Sequence, residues 1–173
     1  QTGELVVFAE TGALLTRVSL APGARGGHDA DEERDEEQED ARPMALAADA
    51  AGNVWVADAK GGRVLRFDTS LNLAQTLGGF RRPEGLAVSP SGACLAVAEE
   101  RRVRTFDTAL GLELAAFGQD SLQKPAQAAF TPNGQLLVAD SDMSRGFGVP
   151  GTPLIGAMAP KGGGVSRRIG RLE

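Results

Sequence analysis

Three acids stand at the ends of apolar runs at a fixed interval. Asp58 closes Val56-Ala57-Asp58, Glu99 closes Val97-Ala98-Glu99 and Asp140 closes Val138-Ala139-Asp140, with 41 residues from each to the next. Carboxylates in such a series either ring a mouth and hold a cation or accept backbone N–H bonds in the turns that follow them. Recurrence in every copy favours the second use, because a ligand set is needed once and a turn needs fixing each time. Beside them stand Arg42, Lys60, Arg63, Arg81, Arg82, Arg101, Arg102 and Lys124. Positive charge of this density attracts phosphates, with affinity that falls steeply as salt rises. The inventory for catalysis is poor: one histidine, His28, no tyrosine, and no Ser-His-Asp or multi-histidine set at usable spacing. A lone loop histidine next to acids makes a weak metal site at best. The single cysteine, Cys94, excludes an internal disulfide or a multi-cysteine zinc site within this segment and reads as a buried small hydrophobe. No catalytic residue, metal ligand or cofactor is therefore expected.

The elements that position these groups repeat with them. The copies begin Arg42-Pro43-Met44-Ala45-Leu46-Ala47, Arg82-Pro83-Glu84-Gly85-Leu86-Ala87 and Lys124-Pro125-Ala126-Gln127-Ala128-Ala129, with prolines 40 and 42 residues apart. Each then passes a turn, Ala50-Ala51-Gly52-Asn53, Pro90-Ser91-Gly92 or Pro132-Asn133-Gly134, whose glycine and asparagine tolerate the positive φ of a tight hairpin. The apolar patterning predicts four strands per copy, over 44–48, 53–57, 63–67 and 72–77, then over 85–88, 93–98, 102–106 and 112–117. Residues 4–8 and 13–15 match the later outer strands and form the outer half of an earlier unit. Repeated four-stranded units of about 40 to 50 residues are blades of a β-propeller, about 4 to 8 of which close a ring. The expected fold is all-β, a partial propeller of about three to four blades. Each blade hides its faces only when the next stacks on it, which assigns Trp55, Phe67, Phe106 and Phe130 to the core between blades.

The divisions follow: outer strands of a preceding blade over 1–23, an acidic insert over 24–41, blades over 42–80 and 81–120, a partial blade over 121–147 and a basic tail over 148–173. Between Asp29 and Asp40 nine acids accompany one base, Arg34, so that of the chain's 23 acids and 18 bases the remainder keeps 14 and 17. The net charge of −5 is local to the insert, and the body is mildly basic. Like charges at this density cannot bury apolar surface, so the insert is expected to be a solvated, disordered loop. The third copy departs after Asp140 into Ser141-Asp142-Met143-Ser144-Arg145-Gly146-Phe147, leaving Phe147 as the remnant of a third strand and the rest as a mobile tail. No apolar run approaches the roughly 18 residues of a membrane span, and no basic-then-apolar leader is present, so a cytoplasmic chain without a membrane partner is expected. The first residue, Gln1, and the short ring mark a fragment in this reading, completed by further blades or flanking domains of its own chain.

These residues resemble the NHL repeat, whose pattern runs Pro-x-Gly-hydrophobic-Ala-hydrophobic, Gly-Asn-hydrophobic-hydrophobic-Val-Ala-Asp, then Arg-Val-x-x-Phe. Pro43 to Phe67 is the best copy and Pro83 to Phe106 nearly as good, and the resemblance covers residues 4–140 outside the insert. Ala45 and Gln127 stand where the pattern has glycine, Glu99 where it has aspartate, and the strand after Asp140 is lost. The resemblance implies a mostly six-bladed propeller that binds partners instead of performing chemistry. In many animal proteins NHL propellers form the substrate-recognition module of tripartite-motif or related RING-type ubiquitin ligases, and in some members a basic face binds single-stranded RNA. It therefore implies a protein partner, with RNA as the alternative and no DNA. Any ubiquitin-ligase activity would belong to a RING portion outside this sequence. A metal-dependent propeller lyase or lactonase is a further alternative, but such relatives use several histidines or carboxylates near the central axis, and this segment lacks the histidines.

Alternate connections of a blade emerge on one face, so the eight cationic residues named above share a rim. Phe80 is the aromatic among those loops for base stacking. The acidic insert leaves from the same face, and its tethered carboxylates compete with an anionic partner at high local concentration. Deleting residues 29–40 is expected to strengthen polyanion binding at low salt, read by fluorescence anisotropy; unchanged affinity removes the idea.

Overall fold

The computed structural model describes residues 3–20, 41–141 and the backbone of 154–158. The strands are β1 (Glu4–Phe8), β2 (Leu14–Ser19), β3 (Pro43–Ala48), β4 (Val54–Asp58), β5 (Arg63–Phe67), β6 (Leu73–Leu77), β7 (Pro83–Val88), β8 (Cys94–Glu99), β9 (Arg102–Asp107), β10 (Glu113–Phe117), β11 (Pro125–Phe130), β12 (Leu136–Asp140) and β13 (Leu154–Met158). They form four antiparallel sheets in chain order: β1-β2, β3-β4-β5-β6, β7-β8-β9-β10 and β11-β12-β13. Within the two four-stranded sheets the ends of the expected strands differ from these by no more than two residues, while β2 runs to Ser19, well past the expected 13–15. Turn chemistry explains why each meander closes where it does. Asp49 Oδ1 accepts the N–H groups of Ala51 and Asn53 at 3.0 and 2.9 Å, and Gly52 takes φ 85°, a region open to glycine without a Cβ penalty.

Successive sheets lean on one another through three apolar layers. Leu5, Leu20, Val56, Leu65 and Phe67 fill the first, between β1-β2 and the first four-stranded sheet. Trp55, Val64, Leu77, Phe80, Leu95 and Phe106 fill the second. Ala96, Val103, Leu122, Leu136 and Val138 fill the third. Because Val56 faces one layer and Trp55 and Ala57 the next, β4 is apolar on both faces, as a strand packed between two neighbours must be. Each large side chain so buried contributes about 1.5 to 3 kcal/mol relative to exposure.

The innermost strands share an irregularity. Pro43 lies opposite Asp58, Pro83 opposite Glu99 and Pro125 opposite Asp140, and in each case the register then slips by one residue at Met44, Glu84 or Ala126. A proline brings no N–H to the ladder, so a bulge beside it sacrifices little. The innermost strands also meet closely, β3 against β7 and β7 against β11. At Gly85 an added Cβ would stand 2.7 Å from Gln127 Cα and 2.9 Å from the Ala126 carbonyl oxygen.

The ends of the arc differ from its middle. At one end β1 and β2 have no inner strands among the described residues, and Phe8, Leu14 and Leu15 are exposed. At the other, β13 supplies a third strand from within the segment expected to be a strandless tail, pairing from Leu136 opposite Met158 to Asp140 opposite Leu154. That expectation is corrected at 154–158. The strand expected near Phe147, the insert residues 24–40 with His28, and the rest of the tail lie outside the described residues.

Gly85→Ala is expected to push β7 off β11 and cost about 1 to 3 kcal/mol, as overpacking does. A lowered urea midpoint with unchanged slope checks this, and an unchanged midpoint contradicts the close approach.

Candidate functional site

The pairing places the second-strand ends, the third-strand starts and the segments before each proline at one edge of every sheet. Arg42, Lys60, Arg63, Arg81, Arg82, Arg101, Arg102 and Lys124 therefore come to one rim. At the centre of each sheet's rim sits its carboxylate. Asp58 and Glu99 are wholly buried and Asp140 nearly so.

These carboxylates bind the chain itself. Asp58 Oδ1 accepts the N–H of Arg42 at 2.8 Å and of Gly61 at 3.1 Å, and its Oδ2 takes Arg63 Nε at 2.9 Å. Asp140 accepts the N–H groups of Gln123 and Lys124. Glu99, one methylene longer, reaches a residue further back: Oε2 accepts the N–H of Arg81 and Oε1 takes Arg102 Nε at 2.8 Å. The following turn thus supplies one donor, Gly61, and the main donors lie before the proline of the same sheet. Burial pushes the Asp58 carboxyl upward, but the Arg42 and Gly61 N–H groups and the Arg63 guanidinium outweigh it and hold it below the usual carboxylate range.

The rim's cations are consequently not equivalent. Arg63 and Arg102 are counter-ions of the buried carboxylates, and only 18% and 33% of their side chains are exposed. Arg81 lies 3.7 Å from Glu100, and Arg82 3.2 Å from Glu84. Arg42, Lys60, Arg101 and Lys124 are exposed and make no ion pair among the described residues. The expected set of eight therefore divides, with four cations held locally and four left to face solvent.

Phe80 departs from its expected role. It is 6% exposed, packs edge-on to Phe106 at 5.2 Å, and lies under the guanidinium of Arg104 at 4.9 Å. Arg104 was no part of the expected rim. It spans the layer from Glu113 at 2.7 Å to the Gly79 carbonyl at 3.0 Å. Cys94 is half-buried rather than buried. Burial, followed by the Asp107 charge, pushes its thiol up, away from the reactive thiolate. Trp55, Phe67 and Phe106 are buried between blades as expected, and Phe130 packs half-buried on the third layer. Among the described residues no three His, Cys, Asp or Glu side chains stand together as metal ligands.

Replacing Asp58 by Ala strands the Arg42 N–H and the Arg63 guanidinium, and is expected to cost about 3 kcal/mol. Its pKa is depressed on folding, so the stability it adds is complete above the unfolded value near 3.9 and fades as pH falls through the lower folded value. Urea midpoints between pH 5 and pH 2 check this: the wild-type slope should flatten in Asp58→Asn.

No family model and no curated protein matches the chain. Among solved structures it is similar to hydrazine synthase of Kuenenia stuttgartiensis, at 19% identity and a TM-score of 0.58, over 80% of this chain and 36% of that one. It is also similar to a chain of a nidogen/laminin complex, at 18% identity and a TM-score of 0.57, over 69% of this chain and 44% of that one. The chain thus spans less than half the length of either. Both neighbours are β-propeller-type folds, and the protein is accordingly an all-β partial propeller.

Proposed function

We propose that the chain is a non-catalytic protein-recognition module whose loop rim takes an acidic segment of a partner. One observation carries this reading: Arg42, Lys60, Arg101 and Lys124 come from three different sheets to one rim, with no ion pair among the described residues. Cations held apart on a rigid scaffold match carboxylates spaced along a partner better than a single ion. The neighbour found in the nidogen/laminin complex belongs to a protein assembly, in line with a propeller used for binding.

In finer terms, we place the module with NHL-type propellers and assign it the substrate-selecting end of a ubiquitin ligase. Support for that comes from the Pro-x-Gly copy at Pro83 to Gly85, where the glycine serves the approach of β7 to β11. Single-stranded RNA is the competing partner for a cationic rim. It is disfavoured because Phe80, the aromatic among these loops, is buried beneath Arg104 and offers no face to a base.

The test is anisotropy of labelled poly-glutamate and labelled poly-uridylate against the 173-residue chain and its R42E/K60E/R101E/K124E variant. Poly-glutamate should bind more tightly than poly-uridylate, and the variant should lose at least about tenfold, the sum expected of several exposed ion pairs. Equal binding by chain and variant overturns the rim, and preference for poly-uridylate returns the assignment to RNA.

A further inference from the structure

The same turn joins the first strand to the second in three successive sheets. Gly52 N–H is donated to the Asp49 carbonyl at 3.0 Å, Gly92 N–H to the Ser89 carbonyl at 2.8 Å and Gly134 N–H to the Thr131 carbonyl at 2.9 Å. All three glycines take positive φ, at 85°, 75° and 83°. The residue just before the glycine differs from copy to copy, being Ala51, then Ser91, then Asn133. Of the three turns, the last alone sets a side-chain amide next in the chain to a glycine nitrogen.

An asparagine before glycine can react with its own backbone. Attack of the following nitrogen on the side-chain carbonyl carbon closes a five-membered ring, and a glycine there has no Cβ to obstruct the approach. The chain's three asparagines are unequal in this respect. Asn53 and Asn72 precede Val54 and Leu73, and their Nδ2 groups donate to Asp49 Oδ2 at 2.8 Å and to Asp68 Oδ2 at 3.4 Å. Asn133 precedes Gly134 and is exposed, and its Nδ2, the atom that must leave, has no partner among the described residues. Its Oδ1 accepts a hydrogen bond from Thr131 Oγ1. Such a donor draws charge from Cγ and steadies the oxygen as negative charge develops on it. Thr131 Oγ1 is itself held in the turn, because it accepts the Gln135 N–H at 3.0 Å.

We propose that Asn133-Gly134 is a self-modifying site, assisted by Thr131, at which the asparagine deamidates at the tip of the β11–β12 hairpin. The Gly134 nitrogen attacks Asn133 Cγ, a C–N bond forms, the Cγ–Nδ2 bond breaks, and ammonia leaves with the proton that Gly134 gave up. Water then opens the resulting succinimide at either carbonyl, its hydroxyl going to carbon and its proton to nitrogen. One opening leaves aspartate on the original backbone, and the other leaves isoaspartate, whose backbone runs through Cγ. No oxidant or reductant is consumed. Both products put a new carboxylate in the turn, and isoaspartate adds one carbon to the backbone between β11 and β12. The bond from Gly134 N–H to the Thr131 carbonyl must open before attack, so the folded chain reacts more slowly than the same residues as a free peptide. The turn closes the Phe130–Leu136 end of the hairpin, opposite the Pro125–Asp140 end that faces the rim, so the rim cations are untouched.

Intact-mass spectrometry of the folded 173-residue chain at pH 8 follows the exchange of the side-chain –NH2 for –OH. A single exchange per chain should accumulate, and isoaspartate-specific methyl transfer should label part of the product. Asn133→Ser, which copies Ser91 of the equivalent turn, should abolish both signals. Thr131→Val should lose ammonia about fivefold more slowly, as removal of one hydrogen bond allows, and Thr131→Ser should restore the rate. A synthetic peptide of residues 129–137 should react faster than the folded chain. Circular dichroism verifies the fold of each variant. An unchanged mass while the peptide deamidates, an exchange that persists in Asn133→Ser, or equal rates in Thr131→Val and the unmutated chain each overturns the proposal.

Discussion

The structure hangs on one interaction: a buried carboxylate at the end of each second strand that accepts the N–H of the residues entering the same sheet's first strand. Asp58, Glu99 and Asp140 do this at equivalent places. The proline that opens each first strand has no N–H for the ladder, so the chain before it would otherwise be tethered only weakly at that corner. An ionised acceptor makes the bond roughly twice as strong as a neutral one would, and burial removes competition from water. The cost of burying the charge is offset where Arg63 and Arg102 cover the second oxygen, leaving the N–H bonds to set direction.

Much of this was legible in the residues. The 41-residue interval, the Pro openings and the glycine turns are local signals, and local signals specify a meander of four short strands. What the residues concealed was how side chains share partners across strands. Arg63 and Arg102 read as free rim cations because spacing counts charges without pairing them. Yet each lies just past a tight turn from its acid, and the hairpin register alone would have brought Asp58 opposite Arg63 and Glu99 opposite Arg102. Phe80 read as a loop aromatic because no periodicity marks a plug that follows a strand. β13 escaped because its residues, with Gly156 at the centre, lack the Arg-Val-x-x-Phe pattern of the other third strands, and only pairing to β12 reveals it.

The layer between the two four-stranded sheets also shows how polar groups are used inside a stack of blades. Arg104 is threaded between Phe80 and Phe106 and ends on Glu113, so its charge is answered on several sides. Arg66 reaches toward the same layer from the other sheet, over Trp55 and within 3.4 Å of the Thr108 carbonyl, but its Nε, the Trp55 Nε1 and the Gln75 Oε1 have no hydrogen-bond partner among the described residues. Arg66 and Gln75 are directly opposite across β5 and β6, a donor and an acceptor side by side.

Each carboxylate clamps residues of its own sheet, never of the neighbour. A gene encoding such units can gain or lose one copy of about forty codons without rewiring the corner of any other, because adjoining copies re-establish mainly apolar contact, with single arginine bonds such as those of Arg66 to the Thr108 carbonyl and Arg104 to the Gly79 carbonyl. Variation in the number of units is thus mechanically easy for this architecture. The fixed element is the stretch from the residues before each proline to the acid, 16 to 18 residues, since a larger change in length within it would separate the acid from the backbone it holds.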